Sequence, residues 1–331
     1  MAKISEADSL DRRTFDLLRL IDAKEPIGSI RLVELLQQRG YSIQDRTVRL
    51  ALSELDDAGL TTKVPGKGRR LTEAGRRELA HGDVSGRLAQ VRERIATLRS
   101  QVSYDPLEDA GQLVVSQGVV PEDRLSAALA DLNEMGEAGM GPVLAATEPA
   151  ENGVCISLPS SITLDGTFLA RGIGAELITA GLVEYAPVDD EVLRYVDAIS
   201  GEGSTMDVVH LLIEAGRTDV ASALDGEVGV LIVDNRQFPL PRYTEAEDLS
   251  SAIVETLGGV LDIRRPRESG PFPGEPPGWN VGSLTYGGVG ELALSLLFER
   301  DRLTEWETLT GLASRADLMP VASLAAGSHR L

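Results

Sequence analysis

Apolar residues recur at helical spacing three times near the start of the chain. Leu17, Leu18, Leu20 and Ile21, with Phe15, predict a helix that Ser9 caps and that Pro26 and Gly28 end. Leu32, Leu35 and Leu36 predict a second helix from Ser29, stopped by Gly40. Val48, Leu52 and Leu55, at i, i+4 and i+7, predict a third, capped by Ser42 and closed by Gly59. Its opposite face carries Gln44, Arg46, Thr47, Arg49 and Ser53. Two short β-prone runs follow, 60–64 and 69–72, around Pro65-Gly66-Lys67-Gly68. They predict a hairpin with a basic, glycine-rich tip. Three helices and such a hairpin make a winged helix-turn-helix. Polar and arginine side chains early in the third helix suit groove reading, and Lys63, Lys67, Arg69 and Arg70 suit phosphate contacts. A winged helix used for protein contacts is the alternative; the basic tip and the arginines favour DNA.

Residues 84–100 show Leu88, Val91, Ile95 and Leu98 at helical spacing. That helix either dimerises or packs on its own domain. Beyond it the pattern repeats. Residues 112–147 and 229–264 each read as an apolar strand, a Pro/acidic helix start, an amphipathic helix, a glycine stop and a second strand. Each is followed by an apolar, glycine-bearing segment, 153–158 and 280–285. Two related β–α–β units predict an α+β domain with a pseudo-two-fold, or two small packed lobes. Asp165-Gly166 in SITLDGTFLARG predicts a hairpin turn. Segments 182–185 and 193–199 read as strands, and 265–278 as a Pro/Gly-rich loop.

Charge changes the picture. The net formal charge is −20, from 32 Lys+Arg against 52 Asp+Glu. Residues 1–100 hold 19 basic and 15 acidic residues, a net of +4; residues 101–331 hold 13 and 37, a net of −24. A basic head on an acidic body points the head at a polyanion. Only Lys3, Lys24, Lys63 and Lys67 are lysines, against 28 arginines. Few lysines with many carboxylates fit a salt-adapted, halophilic proteome; a GC-rich genome is the alternative. No run has the roughly 18 apolar residues of a membrane span, and the N-terminus lacks a secretory h-region. A soluble cytoplasmic protein is expected.

Candidate chemistry is sparse. One cysteine, Cys155, excludes an intramolecular disulfide and a multi-cysteine zinc site. His81, His210 and His329 lie far apart, no Ser/His/Asp set is legible, and nothing matches GxxxxGK[ST]. An enzyme is not expected, and neither is a metal or a resident cofactor. Residues 286–290 and 201–205 are glycine-bearing helix starts; each is a tight turn or cap, or an anion site.

The order of these segments resembles the NrpR-type nitrogen-regulatory repressors of archaea. DRTVRLALSELDDAGLTTKVPGKGRRLTEAG resembles the family's head, ending in Gly68, Arg69, Leu71, Thr72, Glu73 and Gly75. VVSQGVVPEDRLSAALADLNEMGEAG resembles the opening of its regulatory domain, GVCIS its cysteine segment, and GEGSTMDVVHLLIEAG its helix entry. In this chain Ser157 follows Cys155 by two, and Val208 stands where the family has proline. The resemblance implies a dimeric repressor on an inverted-repeat operator of nitrogen-assimilation genes, relieved by 2-oxoglutarate. It further implies an effector-response role for Cys155 and Ser157, and pairing with a second NrpR-family protein; the helix start at 201–205, with Gly203, Ser204 and Thr205, offers N–H groups and hydroxyls for the effector carboxylate. The expected organisation is a winged helix over 1–82, a linker or dimerisation helix over 83–102, and an α+β effector-binding and dimerisation domain over 103–331. A winged-helix regulator of another pathway, sensing a different small ligand, is the competing reading.

Overall fold

The computed structural model describes residues 12–38, 43–82, 84–200, 206–266, 268–273 and 278–328. The backbone divides into two compact units, Met1–Arg87 and Leu88–Leu331.

The first unit contains α1 (Arg12–Lys24), α2 (Ser29–Gln38), α3 (Asp45–Asp57), β1 (Thr61–Val64), β2 (Gly68–Leu71) and α4 (Glu73–Gly82). Leu17, Leu18, Ile21, Leu32, Leu36, Val48, Leu52, Leu55 and Leu71 form its core, so the inward stripe of the third helix is where the spacing puts it. Ser9, Gly40 and Ser42 lie outside the described residues. The third helix starts at Asp45, and its cap residue Gln44 makes no side-chain capping bond. β1 and β2 form the expected antiparallel hairpin, with Val64 opposite Gly68. Ile27 adds a bridge to Arg69, which sews the hairpin to the helices. That bridge needs Gly68: at φ +123°, a Cβ there would lie 2.1 Å from the Ile27 carbonyl oxygen.

The second unit opens with the rest of α5 (Val84–Gln101). Its Leu98 is buried and Ile95 packs on the same domain's core, so this part of the helix takes the packing role. The first repeat is β3 (Gln112–Val120), α6 (Glu122–Glu137), β4 (Leu144–Ala150), β5 (Gly153–Pro159) and α7 (Ile162–Ala170). Next come β6 (Glu176–Ala186), β7 (Glu191–Ser200), α8 (Met206–Glu214) and α9 (Val220–Leu224). The second repeat is β8 (Gly229–Pro239), α10 (Tyr243–Leu257), β9 (Val260–Arg264), β10 (Val281–Gly287) and α11 (Val289–Glu299). β11 (Glu305–Ser314), β12 (Met319–Pro320) and α12 (Val321–Ser328) complete it.

The two repeats share one order of elements, strand–helix–strand–strand–helix. The sheets run β11-β3-β5-β4-β12 and β7-β6-β8-β10-β9. The strand after each repeat leaves it for the other's sheet: β6 follows the first and pairs with β8, while β11 follows the second and pairs with β3. This reciprocal exchange makes one domain of the two repeats, and a single hydrophobic core joins both sheets.

One turn expectation is overturned. Asp165-Gly166 is not a hairpin corner but lies inside α7. Burial decides it: Ile162, Leu164 and Phe168 face the core, and Asp165 is itself buried against Arg236. Gly166 serves close packing, since a Cβ there would lie 2.3 Å from the Val102 Cβ.

Candidate functional site

On α3 the outward side chains Arg46, Thr47, Arg49 and Ser53 are exposed as expected, as is Gln44 at its N-cap, and Leu50 joins them. Arg49 is engaged: it pairs with Asp45 at 2.8 Å, and its Nε donates to Ser29 Oγ at 3.4 Å. The acidic residues Glu54 and Asp57 are exposed in the second half of the helix. With Asp45 offset by Arg49, Arg46 leaves the start of the helix net positive, while Glu54 and Asp57 make its end acidic, so a polyanion favours the start.

Lys63, Lys67 and Arg70 are exposed on the hairpin, but Arg69 is not. Only 15% of its side chain is accessible, and its Nε donates to the two Asp56 carboxylate oxygens at 3.2 and 3.0 Å. Thr61 Oγ1 donates to Asp56 Oδ1 at 2.7 Å. Arg69 therefore fastens the wing to the end of α3 and is a positioning residue. The wing's outward charge comes from Lys67 and Arg70, with Lys63 held 3.8 Å from Asp56.

In the regulatory unit, Cys155 and Ser157 lie on one face of β5, while Ile156 and Leu158 between and beside them are fully buried. Gln117 faces Ser157 across β3, and its Nε2 donates to Ser157 Oγ at 2.9 Å. Burial pushes the Cys155 thiol up from its ordinary pKa, and the Glu148 carboxylate opposite adds to the rise. A thiol so placed is a weak nucleophile. Glu305 and Glu307 on β11 pair with Val119 and Gln117 on the same two rows. Gly203, Ser204 and Thr205 lie outside the described residues.

The equivalent rows of the other sheet are polar throughout. Thr179, Asn235, Thr285 and Asp262 are successive partners across β6, β8, β10 and β9. Glu176, Gln237, Ser283 and Arg264 form the next row. Asn235 Nδ2 donates to Ser283 Oγ at 3.0 Å and to Thr285 Oγ1 at 3.1 Å, and the Tyr195 hydroxyl lies 2.5 Å from Thr285 Oγ1. Burial is the main cause that raises Tyr195 to about 12, so its hydroxyl keeps its proton. The sequence reading missed this cluster because its members come from five strands, and only strand pairing gathers them.

The strand–helix corners at Ser160-Ser161 and Gly287-Gly288 meet in the core. Glu291 accepts from the Ser160 hydroxyl at 2.8 Å and from the Ser161 backbone N–H at 3.1 Å. Ser161 Oγ donates to Asp234 Oδ2 at 2.5 Å. Arg236, fully buried, donates to Asp165. Burial, then the Asp234 charge, pushes the Glu291 carboxyl up to about 7. The 286–290 corner is tightly packed: a Cβ at Gly290 would lie 2.2 Å from the Pro159 carbonyl oxygen. It is a packing turn.

Among the described residues no helix is long and apolar enough to cross a membrane. Residues 16–79 match the family model of the ribonuclease R winged-helix domain, and residues 88–315 match that of NrpR regulatory domains NRD1 and 2. The chain is 27% identical over 284 residues to the global nitrogen regulator NrpRI of Methanosarcina mazei, covering 80% of this chain and 87% of that one. It is 29% identical over 232 residues to the global nitrogen regulator NrpR of Methanocaldococcus jannaschii, covering 69% of this chain and 41% of that protein. It thus spans under half the length of that second relative. A crystal structure of a nitrogen repressor-like protein from Methanococcus jannaschii shares the fold, with a TM-score of 0.55 and 19% identity over 69% of this chain and 97% of that one. These relatives are regulators and not enzymes. With a regulatory-domain match over more than half its length, behind a winged helix, the chain belongs to the NrpR family of nitrogen regulators.

Proposed function

We propose that this chain is a cytoplasmic, dimeric transcriptional repressor of nitrogen-assimilation genes, and that 2-oxoglutarate bound by its regulatory domain relieves operator binding. The observation that carries this is the pairing, in one chain, of an NrpR regulatory domain over 88–315 with a winged helix whose third helix exposes Gln44, Arg46 and Thr47. Arg46 and Thr47 read base edges, Arg49 supports them, and Lys63, Lys67 and Arg70 hold the phosphate backbone. In the regulatory domain Cys155 and Ser157, with Gly203, Ser204 and Thr205, take the effector. A second copy supplies the other half-site reader, and a second NrpR-family protein is a further partner. The ligand acts by favouring the dimer arrangement whose heads mismatch the operator half-sites.

Genome-wide DNA crosslinking in nitrogen-rich and nitrogen-starved cells tests this. Enrichment near ammonium-assimilation genes that falls on starvation is the expected result. No enrichment there, and no change between states, overturns the nitrogen reading. Footprinting on duplex DNA against structured RNA checks the target, because the head also resembles a ribonuclease's winged helix.

A further inference from the structure

The second sheet carries a feature that the fold itself does not require. Sheet faces that pack against protein are normally apolar, and polar rows normally face water. Here Thr179, Asn235, Ser283 and Thr285 are all polar, and each is at least 95% buried. They lie on the face of the sheet opposite the inward-pointing Arg236, Leu284 and Tyr286. Tyr195 closes over them from β7, its hydroxyl within 3.4 Å of Asn235 Nδ2.

Two observations mark this as a site rather than a self-satisfied network. The Thr179 hydroxyl is buried and has no hydrogen-bond partner. A buried hydroxyl left without one is costly, and its place in a row of donors and acceptors points to a partner the chain does not supply. The second observation is Arg264, the one cation of the two rows. It is mostly buried, its Nε donates to Asp262 Oδ2 at 2.9 Å, and its Nη1 donates to the Ser269 carbonyl at 2.6 Å. Burial pushes the Asp262 carboxyl up even with Arg264 beside it, so a ligand carboxylate would compete for the guanidinium with a partner that is costly to keep charged.

The first sheet supplies the contrast. Strand order and register make β4, β5, β3 and β11 the counterparts of β9, β10, β8 and β6. The Gln117–Ser157 pair matches Asn235–Thr285, Cys155 matches Ser283, and Glu148 stands where the second sheet has Arg264. Glu305 and Glu307 extend the first rows, with Arg94 paired to Glu307 at 3.0 Å. Both sheets share this frame; among the described residues the first sheet's rows meet their cation, Arg94, from α5, whereas the second carries Arg264 in the row itself.

We infer that this face of the second sheet is a binding site for a small carboxylate that also carries a carbonyl or hydroxyl group. Arg264 takes the carboxylate in place of Asp262, and the Thr179, Tyr195 and Thr285 hydroxyls with the Asn235 amide hold the oxygen-bearing remainder. This goes beyond the effector reading, whose Cys155 and Ser157 lie on the other sheet, and rests on it for the choice of 2-oxoglutarate as ligand.

Calorimetry of the full chain with 2-oxoglutarate, glutarate and glutamine tests it. Arg264→Gln is expected to weaken 2-oxoglutarate at least tenfold, Tyr195→Phe several-fold, and Arg264→Lys less than Arg264→Gln. Thermal melts of each variant show whether a loss is one of folding; Tyr195→Phe keeps the ring and so answers even where Arg264→Gln does not fold. Unchanged affinity in both Arg264→Gln and Tyr195→Phe, with the wild type binding, overturns the site and leaves the effector reading standing. A wild type that binds neither 2-oxoglutarate nor glutarate overturns both. Binding of glutarate without 2-oxoglutarate overturns the site as inferred, because glutarate lacks the carbonyl that the hydroxyls and the amide are to hold.

Discussion

Arg236 on β8 and Asp165 on α7 form a buried pair that joins the two repeats, with Nε 2.9 Å from each carboxylate oxygen and Nη2 2.6 Å from Oδ2. The geometry is bidentate and both side chains are almost fully excluded from water. Removing one partner strands a charge in the core. Arg236→Met or Asp165→Asn is therefore expected to cost about 3–5 kcal/mol in urea unfolding of the full chain. The double change Arg236→Met with Asp165→Leu is expected to recover only part of that loss, since Asp234, 3.6 Å from Arg236, stays buried without its cation. Single changes that leave the midpoint in place would show that the pair is not what joins the repeats.

The same core gives a pH dependence. Glu291 titrates at about 7 in the folded chain against an ordinary 4.5. The folded state therefore binds this proton more tightly than the unfolded state. Its stabilising contribution is complete below about pH 4.5 and is lost as pH rises through 7. The shift corresponds to roughly 3 kcal/mol. Asp234, also raised by burial, acts in the same direction. Thermal melts from pH 4.5 to 8 should show this group's contribution falling with pH, and Glu291→Gln should flatten that part of the profile. A Gln variant with the wild-type slope would remove Glu291 as the source.

Gly68 tests how the wing is fastened. At φ +123°, with the Ile27 carbonyl 2.1 Å from any Cβ, even alanine must break the Ile27–Arg69 bridge. Gly68→Ala is expected to cost roughly 1–3 kcal/mol and to weaken DNA binding through wing placement. Gly66 is the control for φ: it sits at +70° with open space around its Cβ position. Gly66→Asn, a residue tolerant of that conformation, should cost far less in the same melts.

Local signals were legible where one element decides its own form. Val48, Leu52 and Leu55 announced the inward stripe of α3, and Pro65-Gly66 announced the wing. The strand–helix–strand repeat was visible because both copies kept their apolar runs and glycine stops. Long-range decisions were not. Asp165-Gly166 reads locally as a turn, and only the Arg236 partner 71 residues away shows why the aspartate lies inside a helix. Arg69 reads as a phosphate contact until Asp56 is seen beneath it. The exchange of β6 and β11 between repeats, and the polar rows it completes, depend on pairings that no local pattern encodes.

The division of labour on the DNA side predicts two kinds of loss. Lys67 and Arg70 are exposed at the wing and touch no base in the proposed docking, so Lys67→Ala and Arg70→Ala should weaken operator and random duplex alike. Each lost phosphate contact should reduce the salt slope of log K by about 0.9. Arg46 and Thr47, exposed on the basic start of α3, should behave differently. Arg46→Ala should cost about 1–3 kcal/mol on the operator, relax specificity at one base position, and leave random duplex nearly unchanged. Arg69→Ala should do neither cleanly: it frees Asp56 and loosens the wing, so stability falls together with binding. Fluorescence titrations of operator and scrambled duplex across salt concentration separate these cases. If the cytoplasm is saline, phosphate contacts are weakened there and specificity rests on α3, so the wild-type slope should be shallow and the operator preference should persist at high salt. A steep slope, with Lys67 and Arg70 carrying most of the affinity, would place recognition on the backbone instead of on α3.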